Sequence, residues 1–300
     1  MPELPDVVVY IERLQALAGG HPLERVRIAS PFLLRSVDPP ISAVAGKTLT
    51  SVERLGKRIV MGLEDDLFLV LHLMVAGRVR WKPAGAKIPG RVGLAAFDFD
   101  HGSLILTEAS KKKRASLYVV RGRDGLADHD RGGIDVESTT LQTFTETLTR
   151  ENRTLKRALT DPRIFSGIGN AYSDEILFAA RLSPIKLTSR LTDDEIARLH
   201  DHTLAVLAEW TQRLRDEVGD GYPDKVTAFR DDFMVHGRYR KPCRVCDKPI
   251  QRIRHAENEM NYCAECQVGG RLLADRSLSR LLKKDWPRSL DELETKRNAQ

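Results

Sequence analysis

Two Cys-x2-Cys pairs, Cys243/Cys246 and Cys263/Cys266, hold every cysteine of this chain, with sixteen residues between the pairs. Four thiolates at that spacing suit one tetrahedral zinc ion, each pair on a tight turn and the intervening strands forming a ribbon. The competing reading is two adventitious disulfides or redox motifs, which a reducing compartment disfavours. Cysteine at all four positions leaves no ligand position for water, so the expected ion is a single structural Zn2+. So small a module buries little core, and metal binding would supply much of its folding energy. The rest of the chain must fold without cross-links.

The hydrophobic period divides that remainder in two. Val7, Tyr10, Ile11, Leu14, Leu17 and Ala18 recur at helical spacing, predicting a first helix over Asp6–Ala18 closed by Gly19-Gly20. Short β-like runs follow at 23–28, 48–55, 58–63, 67–73, 78–81, 94–99, 103–107 and 116–120, separated by turns such as Asp100-His101-Gly102. They predict a β-sandwich or flattened barrel with the first helix against one side. The glycine-rich, charged stretch 121–138 reads as a linker. Helical spacing then returns over 139–151, 154–159, 170–180, 192–216 and 223–229, with Thr192 and Glu195 as a capping box. The expected fold class is a multidomain α+β chain: a sandwich domain over 1–130, a helical domain over 138–235, a four-cysteine module over 236–270 and an extension over 271–300. The extension is expected to end disordered.

Three hundred residues exceed one ordinary core, which agrees with that division. The net charge of +6 permits a polyanionic partner without requiring one. No secretory leader pattern and no apolar run of membrane-spanning length occur, so the expected location is the cytoplasm, nucleoid-associated, with no membrane partner.

The N-terminus carries the first chemical signal. Loss of Met1 would leave Pro2 as a secondary amine, and an α-amine titrates about two units below lysine, leaving a nucleophilic fraction at neutral pH. Glu3 places a carboxyl group beside it for proton transfer. The alternative is a stiff arm whose Pro5 starts a helix. In 165–172, Gly167-Ile168-Gly169-Asn170 enters a helix where Asn170 is placed to cap or to meet a phosphate. Gly56-Lys57 lies between two strand-like runs, and there a solvated lysine is the plain alternative. His72 reads as a hydrogen-bonded core histidine. Arg238, Arg240, Lys241, Arg244, Lys248, Arg252 and Arg254 flank the cysteines and suit phosphates, or simply water.

In this order the pieces resemble the formamidopyrimidine-DNA glycosylase and endonuclease VIII family of base-excision repair enzymes. The resemblance rests on Pro2-Glu3-Leu4-Pro5, Gly56-Lys57, His72-Leu73, Gly167–Tyr172, His236-Gly237-Arg238 and the cysteine module, and covers about residues 1–267. It implies that Pro2 attacks the sugar C1′, that Glu3 shuttles protons, and that Lys57 contacts a phosphate and assists β-elimination. Lys156 and Asn170 are implied to grip phosphates flanking the lesion from a helix–two-turn–helix element. The implied activity is that of a monomeric, bifunctional glycosylase and abasic-site lyase on damaged double-stranded DNA, extruding the damaged nucleotide from the stack. The alternative is a protein that binds damage or abasic sites with little or no excision.

This chain also departs from the family pattern. Where many members carry an arginine and an aromatic wedge, it reads Glu108-Ala109-Ser110-Lys111-Lys112-Lys113-Arg114. Lys112 keeps a charge for phosphate, and Met74 or Val75 is left as the apolar plug. Asn258 occupies the place of an arginine assigned to δ-elimination, with Arg252 or Arg254 as substitutes for its phosphate contact. Asp6 replaces a more usual glutamate. Substrate preference is therefore not transferable from the family.

Overall fold

The computed structural model describes residues 1–224, 226, 229–255, 258–274 and 287–298. By backbone packing they form two units: Met1–Gly133 with Ala208–Ala228, and Ile134–Leu207 with Phe229–Gln300.

The first unit opens with α1, Leu4–Ala18. Nine strands follow: β1 Pro22–Leu23, β2 Arg25–Ile28, β3 Lys47–Leu55, β4 Arg58–Leu63, β5 Leu67–His72, β6 Gly77–Lys82, β7 Gly93–Asp98, β8 Ser103–Glu108 and β9 Ser116–Arg121. They form two antiparallel sheets, ordered β1-β3-β4-β5-β9 and β2-β7-β8-β6, and so a sandwich. The single run expected over 23–28 is two strands, because the chain leaves one sheet after Leu23 and joins the other at Arg25.

Alternation sets the core. Ile59, Met61 and Leu63 of β4 point inward with Leu69 and Leu71 of β5, facing Leu94, Phe97, Leu104 and Leu106 of the second sheet and Val7, Tyr10 and Leu14 of α1. The other faces of β4 and β5 are also covered: Val60, Phe68 and Val70 pack with Val120 and Leu126. Double coverage explains why these two strands read as nearly unbroken apolar runs. Leu126 belongs to α2, Arg123–Leu126, so the segment read as a linker is partly structured.

The helix expected over 223–229 is a correction. Tyr222, Pro223, Asp224, Val226 and Phe229 are not helical, and 225, 227 and 228 lie outside the described residues. Tyr222 and Val226 instead anchor a strap on the sandwich core. The ring of Tyr222 lies 5.7 Å from that of Tyr10.

The second unit carries α3 Leu141–Thr149, α4 Leu155–Thr160, α5 Asn170–Ala179 and the start of α6, Asp193–Val218. The predicted capping box opens α6: Thr192 N–H donates to Glu195 Oε2 at 3.0 Å, and Glu195 N–H to Thr192 Oγ1 at 3.3 Å. Between α4 and α5 the chain makes two turns, one closed by Phe165 N–H to the Asp161 carbonyl and one at Gly167, whose φ of +88° favours glycine. Next come an antiparallel hairpin, β10 Gln251–His255 and β11 Asn258–Tyr262, and α7, Ala264–Val268.

The extension is a second correction. Leu272, Leu273 and Leu290 pack on Ile253 and Tyr262 of the hairpin, and Leu273 N–H donates to the Tyr262 hydroxyl at 2.9 Å. Leu290–Asn298 forms a last helix, α8. Its apolar residues are few, and the ones near its start find a ready-made apolar surface. Residues 275–286 and 299–300 lie outside the described residues.

Candidate functional site

At the start of the chain, the helix begins two residues earlier than its apolar period suggests. Glu3 is its N-cap, and the Glu3 backbone N–H donates to Asp6 Oδ2 at 3.0 Å within a capping box. Pro5 falls in the first turn, where its missing N–H breaks no helical bond. Pro2 is buried and Glu3 is 3% exposed. Burial, above all, holds the Met1 α-amine below its ordinary range; Arg78 and Lys57 act in the same direction, while Glu3 and Asp6 oppose them.

Lys57 reaches this neighbourhood through the β3–β4 hairpin. Leu55 pairs with Arg58, leaving a two-residue loop, and Gly56 takes its first position at φ +63°. Lys57 is partly buried there. His72, across from Arg58 in the sheet, is partly buried and not a core residue. Burial, then the charges of Arg58, Lys57 and Arg131, push it down to about 4, so it is neutral at pH 7.

Arg78 is a site residue that sequence reasoning missed. Its guanidinium donates to the carbonyls of Val226, Val75 (3.2 Å) and Gly77 (2.6 Å), joining the strap to the turn after β5. The only signal was Arg78 and Arg80 on the same face of a strand. In that turn, Gly77 N–H bonds the Leu73 carbonyl at 2.9 Å, and a Cβ on Gly77 would lie 2.1 Å from that oxygen. Met74 takes φ +52° and is partly buried, whereas Val75 is 60% exposed. Of the two apolar plug candidates, Val75 is the one presented to solvent.

The basic segment after β8 hangs from one buried carboxylate. Glu108, 1% exposed, accepts the backbone N–H groups of Arg114 (2.9 Å) and Ala115 (3.0 Å) through Oε2. Closing the base of the loop this way leaves Lys111, Lys112 and Arg114 exposed.

In the second unit, Asn170 is the first residue of α5, behind Gly169 as N-cap. Its Nδ2 donates to the Glu259 carbonyl of β11 at 2.8 Å. Lys156, expected at a phosphate, is 5% exposed and turned inward, donating to Asp174 Oδ1 at 2.5 Å and to the Asn170 carbonyl at 2.6 Å. Asp174 Oδ2 meets His236 Nδ1 at 2.7 Å and accepts Asn261 N–H at 3.0 Å. The adjacent Glu175 accepts the N–H groups of Met234, Val235 and His236 at 2.7–2.9 Å. Two neighbouring acids of α5 therefore fix the segment entering the cysteine module and the hairpin behind it. Burial raises the pKa of Glu175, against the pull of those three donors.

Arg254 is exposed on β10, with Nε 3.7 Å from Glu259 Oε2. Arg252 lies 3.3 Å from the same carboxylate and covers the Tyr239 ring at 4.1 Å. The backbone of Asn258 pairs with His255, and its side chain lies outside the described residues.

The four cysteine sulfurs lie within 4.8 Å of one another, and none forms a disulfide. Cys243 and Cys266 are 3.9 Å apart and Cys246 and Cys263 3.4 Å. A tetrahedron with 2.3 Å zinc–sulfur bonds has edges of about 3.8 Å, so the donor set fits the ion. Cys263 Sγ also accepts Cys266 N–H at 3.4 Å, and Cys243 Sγ accepts Val245 N–H at 3.5 Å, bonds that favour thiolates.

Comparison with known proteins agrees with this architecture. Residues 1–115 match the family model described as the formamidopyrimidine-DNA glycosylase N-terminal domain, and residues 133–216 match that of the formamidopyrimidine-DNA glycosylase H2TH domain. The formamidopyrimidine-DNA glycosylase of Thermus thermophilus is 30% identical over 279 residues, spanning 90% of this chain and 100% of the relative.

The chain belongs to the formamidopyrimidine-DNA glycosylase family.

The crystal structure of MutM (Fpg) from Thermus thermophilus superposes with a TM-score of 0.73 at 30% identity, covering 89% of this chain and 98% of that one. Lactococcus lactis Fpg, in complex with DNA containing an abasic site, shares the fold with a TM-score of 0.77 at 23% identity, covering 89% of this chain and 99% of that one. Within this glycosylase family the fold carries the expected N-terminal sandwich, helix–two-turn–helix region and cysteine cluster. No helix among the described residues is long and apolar enough to cross a membrane.

Proposed function

We propose that this protein is a bifunctional DNA glycosylase and abasic-site lyase of base-excision repair, acting as a monomer on damaged double-stranded DNA in the nucleoid-associated cytoplasm. The observation that carries the reading is the setting of the chain's start: Pro2 and Glu3 are buried together, and the Met1 amine ahead of them is held below its ordinary range by burial, with Glu3 and Lys57 both acting on it. Family membership and the Lactococcus lactis Fpg complex with abasic-site DNA support the substrate class.

Once Met1 is removed, the lone pair of the Pro2 nitrogen forms a bond to C1′. The C1′–base bond breaks with its electron pair leaving on the base. The Pro2 nitrogen gives its proton to the departed base, Glu3 delivers a proton to the sugar ring oxygen, the nitrogen lone pair opens the ring, and an iminium joins Pro2 to C1′. Loss of a C2′ proton then expels the 3′ phosphate, which is β-elimination, and hydrolysis frees Pro2. Lys57 holds the phosphate during this step. Lys112, Asn170 and Arg254 contribute phosphate contacts, and Val75 or Met74 enters the space left by the extruded nucleotide. Cys243, Cys246, Cys263 and Cys266 hold one Zn2+, which contributes folding energy to the module and no chemistry. With Asn258 in place of an arginine, cleavage stops at β-elimination.

Borohydride reduction of the protein on duplex DNA with an abasic site tests the reading. The expected result is a covalent adduct that Pro2→Gly abolishes and Lys57→Ala forms about a hundredfold more slowly. Tight binding without an adduct would overturn it in favour of a damage-binding protein.

A further inference from the structure

A second cluster of metal-binding side chains lies in the sandwich unit, in sequence far from Pro2, Lys57 and the cysteines. His21 follows the Gly19-Gly20 end of α1, and Asp100 and His101 form the turn between β7 and β8. One donor atom from each of the three lies within 4.8 Å of the others. His21 Nδ1 is 3.3 Å from Asp100 Oδ1, His101 Nδ1 approaches that same oxygen more closely, and the two rings are 4.1 Å apart.

The hydrogen bond on the far side of His101 decides what this convergence means. Its Nε2 faces the Leu17 carbonyl at 2.5 Å. A carbonyl oxygen only accepts, so Nε2 carries the hydrogen, and in the neutral ring Nδ1 is then a lone pair. That lone pair points at a carboxylate oxygen, which also only accepts, and His21 Nδ1 converges on the same atom. Two imidazole nitrogens and a carboxylate oxygen around one point are held together by a proton on His101, whose pKa the Asp100 carboxylate raises, or by a metal ion in that proton's place. An imidazole donating its outer N–H to a backbone carbonyl is also how a metal-bound histidine is normally oriented.

We propose that His21, Asp100 and His101 form a second metal site, taking a divalent transition ion of the Zn2+, Ni2+ or Cu2+ class. Imidazole with carboxylate is a donor set for these ions and not for Mg2+ or Ca2+. Metal–ligand bonds of about 2.0–2.1 Å give tetrahedral edges of about 3.4 Å, which the His21–Asp100 separation matches and to which the shorter His101–Asp100 contact would open on metal binding. Both supporting loops are fixed by backbone bonds: Gly20 N–H and His21 C=O pair with Leu49 at 2.8 and 2.9 Å, and Phe99 N–H bonds the Gly102 carbonyl at 2.8 Å. The Trp81 ring, 5.5 Å away, backs His101. Side-chain exposures of 44%, 53% and 37% for His21, Asp100 and His101 leave the ion open to solvent, with water completing its shell. Such an ion would join the end of α1 to the β7–β8 turn.

The test uses full-length protein already loaded with one zinc. Calorimetric titration with Ni2+ is expected to show one further saturable equivalent per chain, weakened at least tenfold in His21→Ala and in His101→Ala. With Cu2+ in place of Ni2+, the electron paramagnetic resonance spectrum should carry coupling to two imidazole nitrogens, falling to one in either variant. Added metal should raise the melting temperature of the wild type and not of the variants, whose metal-free melting temperatures verify folding. Absence of the further equivalent, or binding that persists unchanged in both variants, overturns the proposal. These readouts are independent of the lyase assay, because neither histidine belongs to the proposed catalytic group.

Discussion

The backbone N–H of Glu3 donates to the Asp6 carboxylate at 3.0 Å, so the residue that starts the helix also fixes the peptide next to the proposed nucleophile. Asp6→Ala should cost about 1 kcal/mol of stability, as cap losses do. It should also slow single-turnover borohydride trapping more than it weakens abasic-DNA binding. Asp6→Glu should restore trapping toward wild type. Unfolding curves and trapping time courses on the three proteins check this.

Lys156 is held by Asp174 inside the second unit. Lys156→Ala removes the partner of Asp174 Oδ1 while Oδ2 keeps His236 and the Asn261 N–H, and should destabilise the protein by about 1–3 kcal/mol. The salt dependence of DNA binding separates this role from a phosphate contact. Each lost phosphate contact lowers the slope of log K against log salt by about 0.9, so an internal lysine predicts an unchanged slope at reduced affinity.

Metal analysis of the purified protein should find zinc at the four cysteines, and Cys263→Ser should lose it. Strong chelation should raise amide exchange in 243–268 and weaken DNA binding. The Leu272, Leu273 and Leu290 contacts on the hairpin should leave residual protection in β10 and β11.

His72 gives a pH signature. Folding lowers its pKa from an ordinary 6.5 to about 4, so the folded state resists a proton that the unfolded chain accepts. Its contribution is fully present above pH 6.5 and is lost as the pH falls toward 4. Urea unfolding at steps across that window should show the decline, and His72→Gln should flatten it.

Much of the fold was legible because two-residue alternation and 3.6-residue spacing survive wherever one face meets a core. The strands from β3 to β9 and the helices α3 to α6 follow their expected spans closely. Gly56-Lys57 was legible for another reason, since a two-residue hairpin loop takes positive φ at its first position and glycine adopts it without strain. What stayed hidden was set by partners distant in sequence. The helix expected over 223–229 does not form there, because Tyr222 and Val226 are held by the sandwich core. Lys156 was implied to meet a phosphate, and only the fold places Asp174 beside it; Arg78 has no local mark because its partners are carbonyls up to 148 residues away. The extension looked too polar to fold alone, and it does not fold alone: its leucines use the hairpin's apolar surface.

The interrupted first unit sets the order in which the chain is completed on the ribosome. Residues 208–228 belong with 1–133, and Tyr222 among them packs beside Tyr10. At about 5–20 residues per second, translation of the intervening 134–207 segment takes several seconds. Throughout that interval the nascent sandwich carries Tyr10 and Arg78 without the strap that covers them. The earliest-made part of the protein is among the last to be finished, and a helper that shields nascent apolar surface would act in that window.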